Sequence, residues 1–154
     1  MSGHQISLRP ARAEDIDFCE ALYFSGMDRI IRELNLDMAA QVVSFHKQWE
    51  LSQVRIIVFD GADIGWLQTA TQEDSLFLTQ LFVDASFQRR GIGTEVIHRV
   101  IDEAARAHLA VTLDVVKINP ALRLYERLGF RIIGGEERKF YMRRDLDAEP
   151  PIST

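Results

Sequence analysis

Gln88-Arg89-Arg90-Gly91-Ile92-Gly93 lies between an apolar strand pattern, Leu76 to Val83, and an amphipathic helix pattern, Thr94 to Ala107. A strand, a short glycine turn and a helix start together make an anion cradle. The first N–H groups of a helix have no intrahelical partner, and the peptide dipoles place partial positive charge there. Gly91 and Gly93 are expected to take positive φ and to admit a ligand without a Cβ clash. Arg89 and Arg90 add charge at the rim, so the expected ligand is a diphosphate. The loop has no Lys-Ser/Thr to hold a γ-phosphate and magnesium. Val96 stands where a dinucleotide fingerprint has its third glycine, and roughly half the chain precedes the loop. Asp114 lies at about the spacing of a ribose-binding acid, so the missing glycine and the upstream length argue against a dinucleotide.

Working outward, Ile6 to Arg9 reads as a short strand closed by Pro10, and Ala13 to Phe24 as a helix broken by Gly26. A second helical region, Asp28 to Glu50, is interrupted near Asn35 to Asp37. Its later part places Val42, Phe45 and Trp49 on one stripe, joined by His46. Val54 to Phe59, Ile64 to Thr71 and Leu76 to Val83 follow with short links, an antiparallel meander. The helix from Thr94 buries Val96, Ile97, Val100, Ile101 and Ala104 at helical spacing. Val111 to Val116 is a strand, Pro120 to Leu128 a short helix stopped by Gly129. Arg131 to Ile133 and Lys139 to Arg143 form a hairpin around Gly134-Gly135. Residues 1 to 145 read as one domain and 146 to 154 as a flexible tail, acidic and proline-bearing. The strands before and after the glycine-loop helix should run parallel, as a crossover requires.

The second motif is Asn119-Pro120-Ala121-Leu122-Arg123-Leu124-Tyr125-Glu126-Arg127-Leu128-Gly129-Phe130. Gln-x-x-Gly-x-Gly followed by Asn-Pro-Ala…Leu-Tyr-Glu-x-Leu-Gly-Phe resembles the GNAT N-acetyltransferase superfamily, from the opening Ile-Ser-Leu-Arg-Pro-Ala to Tyr141-Met142. The interval from Asn119 to Tyr125 is six positions, where the commoner family pattern has seven. The resemblance implies an α/β GNAT fold: a mixed, mostly antiparallel seven-stranded sheet, about four helices, and a parallel fourth and fifth strand that splay apart. It implies acetyl-CoA as cofactor, with its pantetheine arm in that V-shaped gap.

Acetyl transfer needs a polarised carbonyl, a neutral amine and a thiolate that leaves as a thiol. By resemblance, backbone groups of Leu81, Phe82 and Val83 meet the acetyl group and its arm. The loop from Gln88 through Arg89, Arg90, Gly91, Ile92 and Gly93 to Thr94 holds the diphosphate, and Asn119 and Tyr125 contact the cofactor. Tyr125 is placed beside the sulfur as general acid, and a phenol is protonated at neutral pH. Asp114 stands where ribosomal-protein N-terminal acetyltransferases of this family carry a glutamate, and is the candidate base, acting through water. His46 has the intrinsic pKa of a base. Phe77 stands where histone-type relatives carry their catalytic glutamate. The acceptor pocket is implied to draw on the first two helices and the last hairpin, with Tyr23, Phe24, His46 and Trp49 as candidate substrate contacts. Phe45 and Trp66 read mainly as core.

Net charge of −5 argues against nucleic acid, which needs a basic face. No long apolar run or signal peptide is read in the chain, so a cytoplasmic, membrane-free protein is expected. The single cysteine, Cys19, falls on the apolar side of its helix and reads as a small core residue. His4, His46, His98 and His108 show no ligand spacing, so no metal is expected. The expected activity is acetyl transfer to a primary amine of a small molecule or peptide, with a homodimer as the assembly considered. The alternative is a non-catalytic acyl-CoA-binding sensor or interaction domain of the same fold. Phosphoryl transfer fails for want of a phosphate-binding lysine and a metal carboxylate set.

Overall fold

A computed structural model of the chain describes residues 5 to 146. Seven strands form one sheet in the order β1-β2-β3-β4-β5-β7-β6. They are β1 (Ile6–Pro10), β2 (Val54–Phe59), β3 (Ala62–Thr71), β4 (Ser75–Val83), β5 (Ala110–Val116), β6 (Arg131–Gly135) and β7 (Lys139–Arg144). The helices are α1 (Ile16–Glu33), α2 (Met38–Gln48), α3 (Ile92–Arg106) and α4 (Ala121–Arg127). The expected fold class holds: β1/β2, β2/β3, β5/β7 and β6/β7 pair antiparallel, and β4/β5 pair parallel. The parallel ladder is short, with Ser75, Leu76 and Phe77 opposite Ala110, Val111 and Thr112. Two compact units are distinguished, one running to Thr69 and including Gln80–Gly93, the other formed by Ala70–Thr79 and the chain from Thr94.

In the first unit, α1 runs straight through Gly26, where the sequence predicted a break. A glycine costs a helix interior only about 1 kcal/mol relative to alanine, and packing on the helix outweighs that. Cys19, Tyr23, Phe45, Val54, Ile56 and Trp66 form the buried cluster of this unit. The interruption expected near Asn35 to Asp37 is present. Asn35 takes φ of 51° just past the end of α1, and Leu36 N–H reaches back to the Ile31 carbonyl at 2.9 Å. That is a Schellman stop with asparagine in the left-handed position. Asp37 then starts α2, its carboxylate accepting from Ala40 N–H at 2.9 Å. On α2, Phe45 is buried but Val42 is exposed, so the predicted stripe is narrower than expected.

In the second unit, Val96, Ile97, Val100 and Ala104 of α3 are buried, as their spacing predicted, and Ile101 is half-buried. On β5, Val111, Leu113 and Val115 are buried while Asp114 is exposed, the alternation of a half-covered strand. The last hairpin departs from expectation. Gly134 and Gly135 belong to β6, and the turn falls at residues 136 to 138. A register shift between Ile132 and Gly134 leaves Ile133 as the extra residue of a bulge, while Gly134 and Gly135 pair with Tyr141 and Phe140. The predicted tail, apart from Leu146, lies outside the described residues.

Candidate active site

The cradle in the first unit is built by alternating backbone handedness. Arg89 has φ of +64° and Gly91 φ of +78°, and α3 starts at Ile92. Alternation of this kind turns successive N–H groups inward and forms an anion-binding nest, here opening onto a helix N-terminus. Two expectations need correction. Gly93 does not take positive φ, because the helix begins before it; Arg89 takes the left-handed position that a glycine was expected to fill. Among the described residues a Cβ on Gly91 or Gly93 would meet no atom within 4 Å beyond its own chain neighbours, so the space above both is open. The cradle is held from below. Asp84 accepts from Ser86 N–H at 2.9 Å and Ser86 Oγ at 2.7 Å, and these bonds keep its carboxyl below the usual range. The Arg90 guanidinium stacks 5.2 Å from the Phe87 ring. The Asp-x-Ser turn was legible in principle, as a local side-chain cap ahead of the loop.

Gln88 uses its side-chain amide to donate to the Val83 carbonyl at 2.9 Å, tying the cradle to the end of β4. The candidate acceptor contacts also lie in this unit, with unequal access. Tyr23 is buried, its hydroxyl 3.4 Å from Gln41 Oε1, and its ring packs on Phe24, Phe45 and Phe82. Burial pushes its phenol pKa up. Phe24 and Trp49 are half-buried. His46 is exposed and its Nε2 lies 3.0 Å from Glu20 Oε2, a partner the sequence did not suggest.

In the second unit, Tyr125 is fixed by the residues that follow it. Gly129, at φ of +96°, lets Phe130 N–H return to the Tyr125 carbonyl at 3.1 Å. The Phe130 ring then packs edge-on against the Tyr125 ring at 5.8 Å. Tyr-x-x-x-Gly-Phe is therefore a Schellman cap with its hydrophobic contact. Desolvation pushes the Tyr125 phenol up to about 12. Asn119 Oδ1 accepts from Ala121 N–H at 2.9 Å, so its side chain starts α4. Thr94 is half-buried in the first turn of α3. Asp114 is met by Lys139 Nζ at 3.5 Å and lies opposite Tyr141, whose hydroxyl bonds Glu136. Among the described residues no three His, Cys, Asp or Glu side chains gather to hold a metal, and no helix is long and apolar enough to cross a membrane.

Known proteins resemble this chain in sequence and in fold. An uncharacterized N-acetyltransferase of Methanocaldococcus jannaschii is 35% identical over 74 residues, 47% of this chain. The match spans only 33% of that relative's length. The structure resembles the PaiA N-acetyltransferase of Thermoplasma acidophilum in complex with coenzyme A, with a TM-score of 0.73 and 14% identity, covering 92% of this chain and 99% of the other. It also resembles the N-acetylglutamate synthase of Neisseria gonorrhoeae complexed with coenzyme A and N-acetyl-glutamate, with a TM-score of 0.66 and 19% identity, covering 92% of this chain and 35% of that one. At such identities the likeness is one of fold. A family model for the acetyltransferase (GNAT) domain matches residues 50–132, more than half of the chain. On the strength of that match, which includes Gln88 to Gly93 and Tyr125, the chain belongs to the GNAT acetyltransferase family.

Proposed function

We propose that this protein is an acetyl-CoA-dependent N-acetyltransferase acting on the primary amine of a small molecule or peptide. The observation that carries the reading is the nest at Arg89 to Gly91 opening onto the start of α3. Its N–H groups fit a diphosphate, Gly91 and Gly93 leave the space above it open, and Arg89 and Arg90 supply charge. Structural neighbours crystallised with coenzyme A support the same ligand. When bound, acetyl-CoA supplies an activated acetyl thioester.

The chain's own groups then divide the work. Backbone groups of Leu81 to Val83 orient the acetyl group and polarise its carbonyl oxygen. The Tyr125 hydroxyl holds a proton throughout the neutral range, since its pKa is pushed up to about 12. An ordinary thiol has a pKa of about 8.5. The phenol is therefore a hydrogen-bond donor first, and an acid only as negative charge builds on the departing sulfur. Asp114, in contact with Lys139, is assigned as the base that takes the amine proton through water.

Release of free CoA thiol, followed over a panel of small amines and N-terminal peptides, tests the reading. Saturable release with at least one acceptor is expected. Binding of acetyl-CoA with no release across the panel would favour a non-catalytic acyl-CoA sensor.

A further inference from the structure

The end of β4 is shaped by two side chains that are missing. A Cβ on Gly65 would come within 2.4 Å of the Phe82 carbonyl oxygen and 3.2 Å of Val83 Cα. Those atoms are backbone and cannot step aside, so only glycine fits at this position of β3. Glycine inside a strand otherwise weakens it, and marks a close approach of another backbone. The Phe82 ring meets a second glycine. A Cβ on Gly26 would stand 2.6 Å from its Cδ1 and 2.9 Å from its Cε1. Gly26 lies within α1 and has no positive φ, so nothing in the helix itself asks for glycine there. The Tyr23 and Trp66 rings close on the same ring at 5.5 and 5.6 Å between centroids. One residue on, Gln88 holds the Val83 carbonyl at 2.9 Å, and Asp84 N–H donates to the Ile64 carbonyl at 2.7 Å. The ring and carbonyl of residue 82, the carbonyl of 83 and the N–H of 84 are thus each pinned.

We propose that Gly26 and Gly65 are positioning residues for acetyl-CoA: by admitting the ring and the carbonyl of Phe82, they set the direction of the Leu81 to Val83 backbone. Gln88 couples that backbone to the diphosphate cradle. The inference rests on the reading of Leu81 to Val83 as the segment that meets the acetyl thioester and its arm. A shift of about 1 Å in such a group is enough to cost about a hundredfold in rate, so a glycine far from the reacting atoms can govern them.

Calorimetry with two probes tests it: acetyl-CoA, and adenosine 3′-phosphate 5′-diphosphate, which carries the diphosphate but no pantetheine arm. Gly65→Ala should weaken acetyl-CoA by about tenfold or more and leave the nucleotide unchanged. Gly26→Ala should act in the same direction but lose its effect in a Phe82→Leu background, because the added methyl meets only the ring. Gly65→Ala should keep its effect there, because it meets backbone oxygen. Should Gly65→Ala fail to fold, the Gly26 and Phe82 cycle decides alone. Equal loss of both probes, or lowered melting temperature with unchanged acetyl-CoA affinity, would make these packing glycines and overturn the proposal. Wild-type protein that binds neither probe would overturn the acetyl-CoA reading itself and this inference with it, a result distinct from selective loss in the variants.

Discussion

Tyr125 carries the sharpest chemical expectation at the scale of single residues. Tyr125→Phe keeps the ring and its edge contact with Phe130 while removing the proton. Turnover should fall by about a hundredfold or more, with acetyl-CoA affinity barely changed, since the lost interaction strengthens mainly in the transition state. Steady-state rates and calorimetry on one preparation decide this, and near-wild-type kcat would remove Tyr125 from the mechanism. Because its pKa is raised from 10.0 to about 12, an alkaline fall in rate below pH 10.0 would have to come from another group. The two cradle glycines should separate in a second experiment. Gly91→Val places a β-branched side chain at φ of +78°, which costs about 1–3 kcal/mol of stability as well as blocking the ligand. Gly93→Val keeps a helical backbone and adds bulk where a Cβ has no neighbour within 4 Å among the described residues. Both should lose CoA binding, but only Gly91→Val should lower the melting temperature markedly. Gly91 was readable as a left-handed residue, because glycine before a helix start signals one. Arg89 was not: a non-glycine residue at φ of +64° is uncommon, and nothing in the residue type announces it.

Helix ends decide where elements stop, and three here use the same device. Asn35, His108 and Gly129 each take positive φ two positions past the last residue of a helix, at 51°, 58° and 96°. In each case the next N–H returns to the helix: Leu36 to Ile31, Leu109 to Ala104 and Phe130 to Tyr125. Only Gly129 announced its role in sequence, since asparagine and histidine occur in many other settings. Conversely, Gly26 looked like a breaker and is not, because its reason lies 56 positions away in the Phe82 ring. Gly134 and Gly135 likewise looked like a turn, but they continue β6 opposite Tyr141 and Phe140, just past a bulge at Ile133. Local propensity proposes where chain geometry can change, and tertiary contact selects among the proposals. The strands were easier to read, β2 above all, because a short apolar run bounded by polar links leaves few alternatives. Gly129→Ala tests the capping argument. At φ of +96° an added Cβ is strained and would lie 3.1 Å from Arg144 Nε, which donates to the Leu128 carbonyl at 2.9 Å. A loss of about 1–2 kcal/mol in urea unfolding is expected. If the cap also orients Tyr125, kcat should drop more than acetyl-CoA affinity does.

Stability of the whole molecule should respond to pH in a way that one buried thiol begins. Cys19 is fully buried, and burial pushes its thiol from 9.0 up to about 11. The Trp49 indole N–H, which finds no full hydrogen-bond partner among the described residues, offsets that rise only in part. A thiol whose folded pKa is raised leaves stability intact below its unfolded value and drains it as pH climbs toward the folded one. The window for Cys19 is therefore pH 9.0 to about 11, a loss of about 3 kcal/mol at about 1.4 kcal/mol per pH unit. Tyr23 and Tyr125, both raised by burial, add to the loss from pH 10.0 upward. On the acid side the sign reverses. Arg9 forks between Asp15 and Asp63 at 2.9 Å each and holds the Asp15 carboxyl below its usual 3.8. Its contribution is present above that value and lost as pH falls through the depressed one. Urea unfolding across pH should thus show a plateau bounded by carboxylates below and by buried neutral acids above. Cys19→Ala should lower stability on the plateau, through the small cavity it leaves, yet flatten the descent between pH 9.0 and 10.0. An unchanged slope in that interval would show that the thiol is not what sets the alkaline edge.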